Sequence, residues 1–257
     1  VKGGEVVTAK GGYAYENFGI NKVNPASLVT VVGEAGARFG KMTIGGSSNL
    51  RLSGLSFTQV VKPVPGKAVP FFVTALPDCR NVEIVDCDFA SRPDADDYPI
   101  WLQADWLDWK MGGVFMRGTD GLVARNKGRG LNTGFQVGGV RSSLIGNRLF
   151  GTSTDAYRIT ADYGTAEDNY AQDMVAIDGS HRDLLQMFEA GDGHMVGLRI
   201  RRNVFKAVVN IASNPLMSLQ TQGIGGYGSP KTGGGITGTT FTDIIVEDNE
   251  IETTAWQ

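Results

Sequence analysis

Residues 176–188, AIDGSHRDLLQMF, bring side chains capable of acid–base chemistry into one short segment. A predicted turn that contains Asp178 and His181 leads into a predicted strand near Asp183, and Gln186 is a polar residue inside the apolar run that follows. The chain has 2 histidines, and His181 is one of them. A histidine beside carboxylates can act as a general base, and carboxylates can also bind calcium. The alternative is a turn histidine that bonds only to the backbone.

Seven segments share a frame that would place these side chains on stacked strands. In most of them an apolar, alternating strand leads to one fixed position, and a short strand follows. The fixed position holds Leu55, Cys87, Asn126, Asn147, Asn169, Asn203 and Asn249. Two successive intervals, Asn126 to Asn147 and Asn147 to Asn169, are 21 and 22 residues. This period with short strands predicts a parallel β-solenoid, in which Asn adopts the left-handed backbone of a corner and stacks as a hydrogen-bonded ladder.

These units resemble the right-handed parallel β-helix proteins, a superfamily that includes pectate, alginate and chondroitin lyases, polygalacturonases and phage tailspikes. The resemblance covers about residues 29–254 and implies an all-β, single-stranded, right-handed parallel β-helix of about 22 residues per coil with loop insertions. We expect residues 1–257 to be one β-helix domain from a longer chain. A neighbouring segment or a homotrimer would cover the unpaired strand edges at its ends.

A second set of strands can be aligned between the Asn positions. They are TGFQV (133–137), TDAYRI (154–159), RDLLQM (182–187) and TQGIGG (221–226). The residues expected to face inward are Phe135, Tyr157, Leu185 and Ile224. Alternation then places Gln136, Arg158 and Gln186 outward, about 4.8 Å apart, with Asp155 and Asp183 at the strand entrance. Amides and guanidinium groups hydrogen-bond hydroxyls and carboxylates, so this stack predicts a saccharide-binding floor.

The segment SHRDLLQMF resembles an H-x-D-x-x-Q signature found in a group of bacterial and phage β-helix proteins. It is carried here by His181, Asp183 and Gln186. QGIG at 222–225 resembles the Q-G-I segment one coil later in that group, which adds Gln222 as a substrate contact. Polygalacturonase motifs are matched only faintly, and the W-I-D-H signature of pectate lyases is absent.

Two reactions and one non-enzymatic function are compatible with these residues. In a lyase acting on a uronate glycan, His181 or Arg158 would remove the C5 proton, and Asp155 and Asp183 are candidate calcium ligands. In a glycosidase, two carboxylates would act as acid and as base or nucleophile. The candidates for that pair are Asp155, Asp178, Asp183 and Asp192. The non-enzymatic alternative is a phage tailspike or tail-fibre domain that recognises a surface glycan without cleaving it.

Residues 91–113 form a Trp- and Asp-rich insertion. Leu102, Trp106 and Trp109 would share one face of a short helix that follows Pro99. That face either packs on the outside of the coil or forms a wall of a saccharide cleft, where Trp106 and Trp109 would stack on sugar rings.

Composition excludes several other classes of protein. The formal net charge of −3 gives no basic footprint for nucleic acid, and no apolar run approaches the roughly 20 residues of a membrane span.

Cys79 and Cys87 flank one predicted strand, about 26 Å apart, too far for a disulfide. Residues 223–235 are expected to form a loop at the rim of the site. The superfamily implies a secreted protein or one on a virion surface.

Overall fold

The computed structural model describes residues 1–59, 61–63, 69–188, 193–227 and 240–254. Within them the chain winds as a parallel β-helix, in which each strand pairs with its counterpart one coil away, always in parallel. Three sheet faces, named A, B and C here, follow one another around each coil. Face A contains β1 (Val6–Ala9), β3 (Val29–Gly33), β5 (Ser48–Ser53), β8 (Arg80–Val85), β11 (Leu122–Ala124), β14 (Ser143–Ile145), β17 (Thr165–Glu167), β21 (Arg199–Arg201) and β25 (Ile245–Glu247).

Faces B and C belong to one 15-stranded sheet. Face B contains β6 (Ser56–Thr58), β9 (Asp88–Ala90), β12 (Lys127–Leu131), β15 (Arg148–Thr152), β18 (Tyr170–Met174), β22 (Val204–Lys206) and β26 (Glu250–Glu252). Face C contains β7 (Phe71–Ala75), β10 (Gly112–Met116), β13 (Phe135–Val137), β16 (Tyr157–Ile159), β19 (Arg182–Phe188) and β23 (Thr221–Tyr227). The long strand β4 (Arg38–Gly45) pairs with both β6 and β7, which joins the two faces, and β2 (Ala14–Asn21) pairs with β4. A separate pair is formed by β20 (His194–Val196) and β24 (Thr240–Thr242).

The predicted fold class is confirmed, and the coil begins earlier than the resemblance implied. Strand β1 already pairs with β3, so the regular winding starts at Val6 rather than near Val29.

Cys79 and Cys87 are both buried free thiols in the described chain, as expected. No helix among the described residues is long and apolar enough to cross a membrane.

A continuous column of aromatic side chains fills the centre of the coil. Its members, in order along the axis, are Phe39, Phe57, Phe89, Phe135, Tyr157 and Phe205. Successive ring centroids lie between 4.8 and 6.3 Å apart. These residues are inward-facing positions of faces B and C, which explains why the alternating pattern of the sequence identifies them.

The Asn residues stack at the corner between faces A and B. The Asn147 side chain accepts hydrogen bonds from the Asn126 backbone and amide at 3.0 Å and donates to Asn169 at 2.9 Å, and the pattern continues through Asn203 to Asn249. The predicted ladder is therefore confirmed.

The predicted backbone of that corner is wrong. The residues with left-handed φ immediately precede the ladder positions, and they are Gly54, Asp86, Arg125, Gly146, Asp168, Arg202 and Asp248. The preceding residue turns the chain, and this leaves the Asn free to bond along the axis.

Replacing Asn147 by alanine should destabilise the fold by about 2–4 kcal/mol, because buried partners lose their hydrogen bonds. Those partners include the Asn126 backbone N–H at 3.0 Å and the Val123 carbonyl at 2.8 Å. Urea unfolding would measure the change. The matched control is Asn24→Ala, since Asn24 is exposed and its side chain donates to the Gly46 carbonyl at 3.0 Å and accepts from the Ser48 hydroxyl at 2.8 Å. This variant should lose less than half as much stability, because both bonds are exposed to water. Equal losses in the two variants would contradict a structural ladder.

Candidate functional site

The site lies on face C, where stacked strands place polar side chains outward. The register pairs Phe135, Tyr157, Leu185 and Ile224, and all four belong to or pack against the core, as predicted. One residue further along each strand, Gln136, Arg158, Gln186 and Gly225 form what we call the outward row. The predicted stack of Gln, Arg and Gln is thus confirmed.

Asp155 and Asp183 meet below the start of the outward row. The Asp183 backbone N–H donates to Asp155 Oδ1 at 3.0 Å, so the two aspartates occupy equivalent positions in successive coils. Arg158 forms an ion pair with Asp155 through Nε, and Gln186 Nε2 donates to Asp183 Oδ2 at 3.0 Å. Both aspartates are 0% exposed, so neither carboxylate faces solvent directly. The two carboxylates can therefore influence a ligand only through the side chains that bond to them.

His181 is the exposed partner of the buried Asp183. Its Nδ1 lies 3.0 Å from Asp183 Oδ2, and the imidazole is 44% exposed. Asp183 therefore fixes the ring orientation and favours the tautomer that carries its proton on Nδ1, which leaves Nε2 as a base. This is the arrangement in which a buried carboxylate activates a histidine for proton transfer.

Tyr227 completes the cluster, and the sequence interpretation missed it. Its hydroxyl lies 3.1 Å from His181 Nε2 and 3.2 Å from Asp183 Oδ1, and it contacts Gln222 Oε1. The His181 and Tyr227 rings meet edge to face, 5.1 Å apart at 89°. Tyr227 aligns with Phe188 and lies two residues after Gly225, the outward-row position of its strand. Its side chain folds back along the strand toward Gly225 and so reaches the cluster.

Gly225 makes that return possible. A Cβ added there would lie 2.6 Å from Tyr227 Cε2 and 2.7 Å from its hydroxyl. Gly225 is the outward-row position of β23, where the preceding coils have Gln136, Arg158 and Gln186. The missing side chain leaves the slot that the tyrosine ring occupies. The neighbouring Q-G-I-G segment was the available sequence signal, but it did not indicate which side chain would use the space.

Burial controls the protonation of the cluster. It raises the pKa of Asp183 to about 6, and the nearby Asp155 carboxylate adds to this effect. Burial also raises the pKa of Asp155, in spite of its contact with Arg158. The pKa of the Tyr227 phenol is raised by burial and by Asp183, so the hydroxyl keeps its proton at neutral pH. The cluster therefore offers an oriented base and a protonated acid side by side.

The raised pKa of Asp183 predicts a dependence of stability on pH. Because the folded chain holds this proton more tightly than the unfolded chain does, the stabilisation is complete below about pH 4 and is lost as the pH rises through about 6. Asp183→Asn keeps the shape and removes the titration. The melting temperature of the variant should therefore rise relative to that of the natural protein between about pH 4 and pH 7. A constant difference over that interval would contradict a desolvated Asp183 carboxylate.

Two adjoining cavities lie above the cluster. One, of about 440 Å³, is lined by His181, Gln222 and the turn 178–182. The other, of about 460 Å³, is lined by Arg158, Gln136 and residues of earlier coils. Ser180 lines both cavities, their other lining residues come from successive coils, and the two cavities together are called the trough here. Of the predicted site residues, these walls include His181, Arg158, Gln136 and Gln222.

Inserted loops at the corner between faces B and C wall this trough. A second hydrophobic cluster unites residues of the insertions with the outside of face B. Its buried members are Ala90, Ala95, Tyr98, Trp101, Trp106, Val175, Ile177 and Ile211. The buried Asp173 ties the loops together, since it accepts hydrogen bonds from Tyr98 and from the backbone of Val209 at 2.6 Å and Asn210 at 2.8 Å.

The predicted sugar-stacking role of Trp106 does not fit this packing. The insertion forms a 3-10 helix, Ala95–Ile100, and a short α-helix, α1 (Gln103–Asp108). Trp106 is 2% exposed and packs edge to face on Trp101 at 5.0 Å, whereas Leu102, expected on the same face, points to solvent. Trp109 is half-buried, with its ring 5.8 Å from the Arg92 guanidinium. Neither tryptophan lines the trough.

The insertion reaches the site through other residues. Lys110 forms a 2.8 Å ion pair with Asp178, and Gln103 donates to the Ile177 carbonyl at 2.6 Å. Although burial opposes it, hydrogen bonds from Lys110 and Ser180 lower the pKa of Asp178 to about 2. Asp178 is therefore an anion that anchors the turn and is not poised as a general acid.

Two further predicted features fall in the segments around residues 189–192 and 223–239. Asp192, the fourth carboxylate proposed for a glycosidase, lies outside the described residues. The loop expected over 223–235 is partly wrong, because residues 223–227 belong to strand β23. Residues 228–235 lie outside the described residues.

A calcium site is not a good fit for this cluster. Ligand atoms of Asp155, His181 and Asp183 lie within 4.8 Å of one another. Calcium binds six to eight oxygen ligands, and here one of the three groups is an imidazole. Asp155 is already bonded to Arg158 and to the Asp183 backbone, and the Arg158 guanidinium would repel a cation. The donor set of this cluster therefore does not match a calcium site.

Comparisons with known proteins add no functional information. No family model matches the chain, and the search of curated proteins gave no match.

Proposed function

We propose that this protein binds a uronate-containing polysaccharide in the trough and cleaves it by β-elimination at His181, Asp183 and Tyr227. The observation that carries the proposal is the contact of 3.1 Å between His181 Nε2 and the Tyr227 hydroxyl, above a buried Asp183. A base and an acid on the same side of a bound sugar are what a syn-elimination requires.

The proposed reaction balances with these groups alone. His181 Nε2 takes the C5 proton of the uronate, and the C5–H electron pair forms the C4–C5 double bond as the C4–O4 bond breaks. The Tyr227 hydroxyl gives its proton to the departing O4. The phenolate then recovers a proton from the His181 imidazolium across their direct contact. Asp183 stabilises that imidazolium without being consumed.

Arg158 supplies the charge needed at the uronate carboxylate. In the part of the chain that the structure describes, Asp155 is the acidic residue that pairs with the Arg158 guanidinium. Arg158 also lines the trough. A guanidinium hydrogen-bonds a carboxylate well and favours the dianion that forms when C5 loses its proton. Gln222 also lines the trough, and its amide nitrogen is a further donor for a sugar bound there.

The structure gives less support to the two alternatives. A two-carboxylate glycosidase needs carboxyl groups that touch the sugar, whereas Asp155 and Asp183 are both 0% exposed. A purely glycan-binding tailspike or tail-fibre domain has no evident use for an oriented His–Asp–Tyr cluster. The proposed substrate class implies work outside the cell or on a virion surface.

A panel of polyuronates and neutral polysaccharides tests the proposal. On at least one polyuronate, ultraviolet absorbance from the unsaturated product and reducing ends should rise together. Reducing ends without absorbance would indicate a hydrolase and would contradict the elimination. Binding without either product would leave a glycan-recognition module.

A further inference from the structure

We propose that the trough contains a distal subsite, formed by Gln136 and the aromatic pair Phe71 and Phe115, that binds a non-reacting sugar of the same acidic polysaccharide. The inference rests on the proposed function for the identity of the ligand. It adds a direction to that function, since the polysaccharide would extend from His181 toward the N-terminal coils.

Gln136 is the first reason for this subsite. The residue is 7% exposed, and its side-chain amide makes no hydrogen bond to any residue that the structure describes. In the coil after Arg158, the aligned residue is Gln186. Its amide nitrogen donates a hydrogen bond to Asp183. The amide atoms of Gln136 themselves keep some contact with solvent, and because the residue lines the trough they are available to a ligand there.

The aromatic pair is the second and independent reason. Phe71 and Phe115 line the same cavity as Gln136, are half-buried, and lie 5.3 Å apart at 41°. Phe115 is the outward-row position one coil before Gln136. Apolar ring faces beside an amide and hydroxyl groups match a pyranose, which has apolar C–H faces and polar edges.

Arg117 indicates that the sugar carries a negative charge. Its guanidinium lies 5.4 Å from the Phe115 ring, its side chain is exposed, and it has no acidic partner within the described ranges. Arg117 belongs to the coil before Gln136 and Arg158 to the coil after it, so exposed or trough-lining cations occur on both sides of Gln136. Charges of this kind attract a polyanion and orient it.

The distance between subsite and reacting centre sets the expected ligand length. Phe115 precedes Gln186 by three coils, which is about 14 Å at the spacing of paired strands. A disaccharide held at His181 would not reach Phe115, whereas a hexasaccharide would. Recognition by the distal subsite should therefore appear only with the longer ligand.

Calorimetric binding to the His181→Ala protein tests the subsite without turnover. The probes are di- and hexasaccharides of galacturonate and of alginate. We expect Phe115→Ala and the nearly isosteric Gln136→Leu each to weaken hexasaccharide binding about tenfold, the effect of one lost contact set, and Phe115→Ala to leave disaccharide binding unchanged. The exposed Phe18→Ala, on β2, is the matched aromatic control. Circular dichroism would verify folding of each variant.

The outcomes separate this inference from the proposed reaction. Equal loss for both ligand lengths in Phe115→Ala, no loss of hexasaccharide binding in either variant, or no binding of any oligosaccharide would overturn the subsite. Length-dependent loss in a protein whose natural form yields no unsaturated product would support the subsite and reject the β-elimination.

Discussion

Replacing His181 by alanine is expected to lower kcat on a polyuronate by about 10²–10⁴-fold, the usual contribution of a positioned general base. The imidazole is 44% exposed and packs edge to face on Tyr227, so its loss should change the melting temperature little. His194, the other histidine, lies on β20, and His194→Ala should retain activity. Full activity of the His181→Ala protein would reject the proposed base.

Asp183→Asn tests the same step through orientation. An amide can present N–H to His181 Nδ1, which would favour the tautomer with the proton on Nε2 and remove the base. We therefore expect a loss in kcat similar to that of His181→Ala, with little change in KM. Because both residues serve one proton transfer, the double variant should be no slower than either single one. Additive losses would indicate separate roles.

Much of the fold could be predicted because its determinants are local and repeat. Alternation assigned Phe135 and Tyr157 to the interior, and the recurring Asn identified the coil length. The corner backbone was assigned to the wrong residue because Asn tolerates left-handed φ in general. Here the Asn147 side chain has to bond along the axis, so the preceding Gly146 turns the chain instead.

The candidate site was only partly predictable. Register alone aligned Asp155 with Asp183 and Arg158 with Gln186. The sequence leaves open whether Trp106 packs on the coil or lines a cleft, because an amphipathic pattern shows that one face is buried but not what covers it. Its partners come from insertions in several coils, and their packing depends on contacts far apart in sequence.

Tyr227 could not be predicted from strand alternation, because its side chain leaves the strand direction and returns over Gly225. Gly225→Ala should therefore lower kcat by about 10²-fold or more by expelling the tyrosine from His181. The glycine does not have a left-handed φ, so alanine adds no backbone strain and the protein should fold. Kinetics and the melting temperature together would measure the effect.

Gly226→Ala is the matched control, since the added methyl would come closest to the flexible end of Met187, at 3.1 Å, and would meet Phe241 only at an ordinary contact distance of 3.7 Å. It should keep most of the activity. Tyr227→Phe removes the hydroxyl and leaves the ring, and we expect a loss as large as that of Gly225→Ala. If the glycine acts only by making room for the tyrosine, the double variant Gly225→Ala, Tyr227→Phe should be no slower than Tyr227→Phe alone. A further loss in the double variant would show that Gly225 contacts the substrate itself, and full activity of Tyr227→Phe would require a different proton donor for O4.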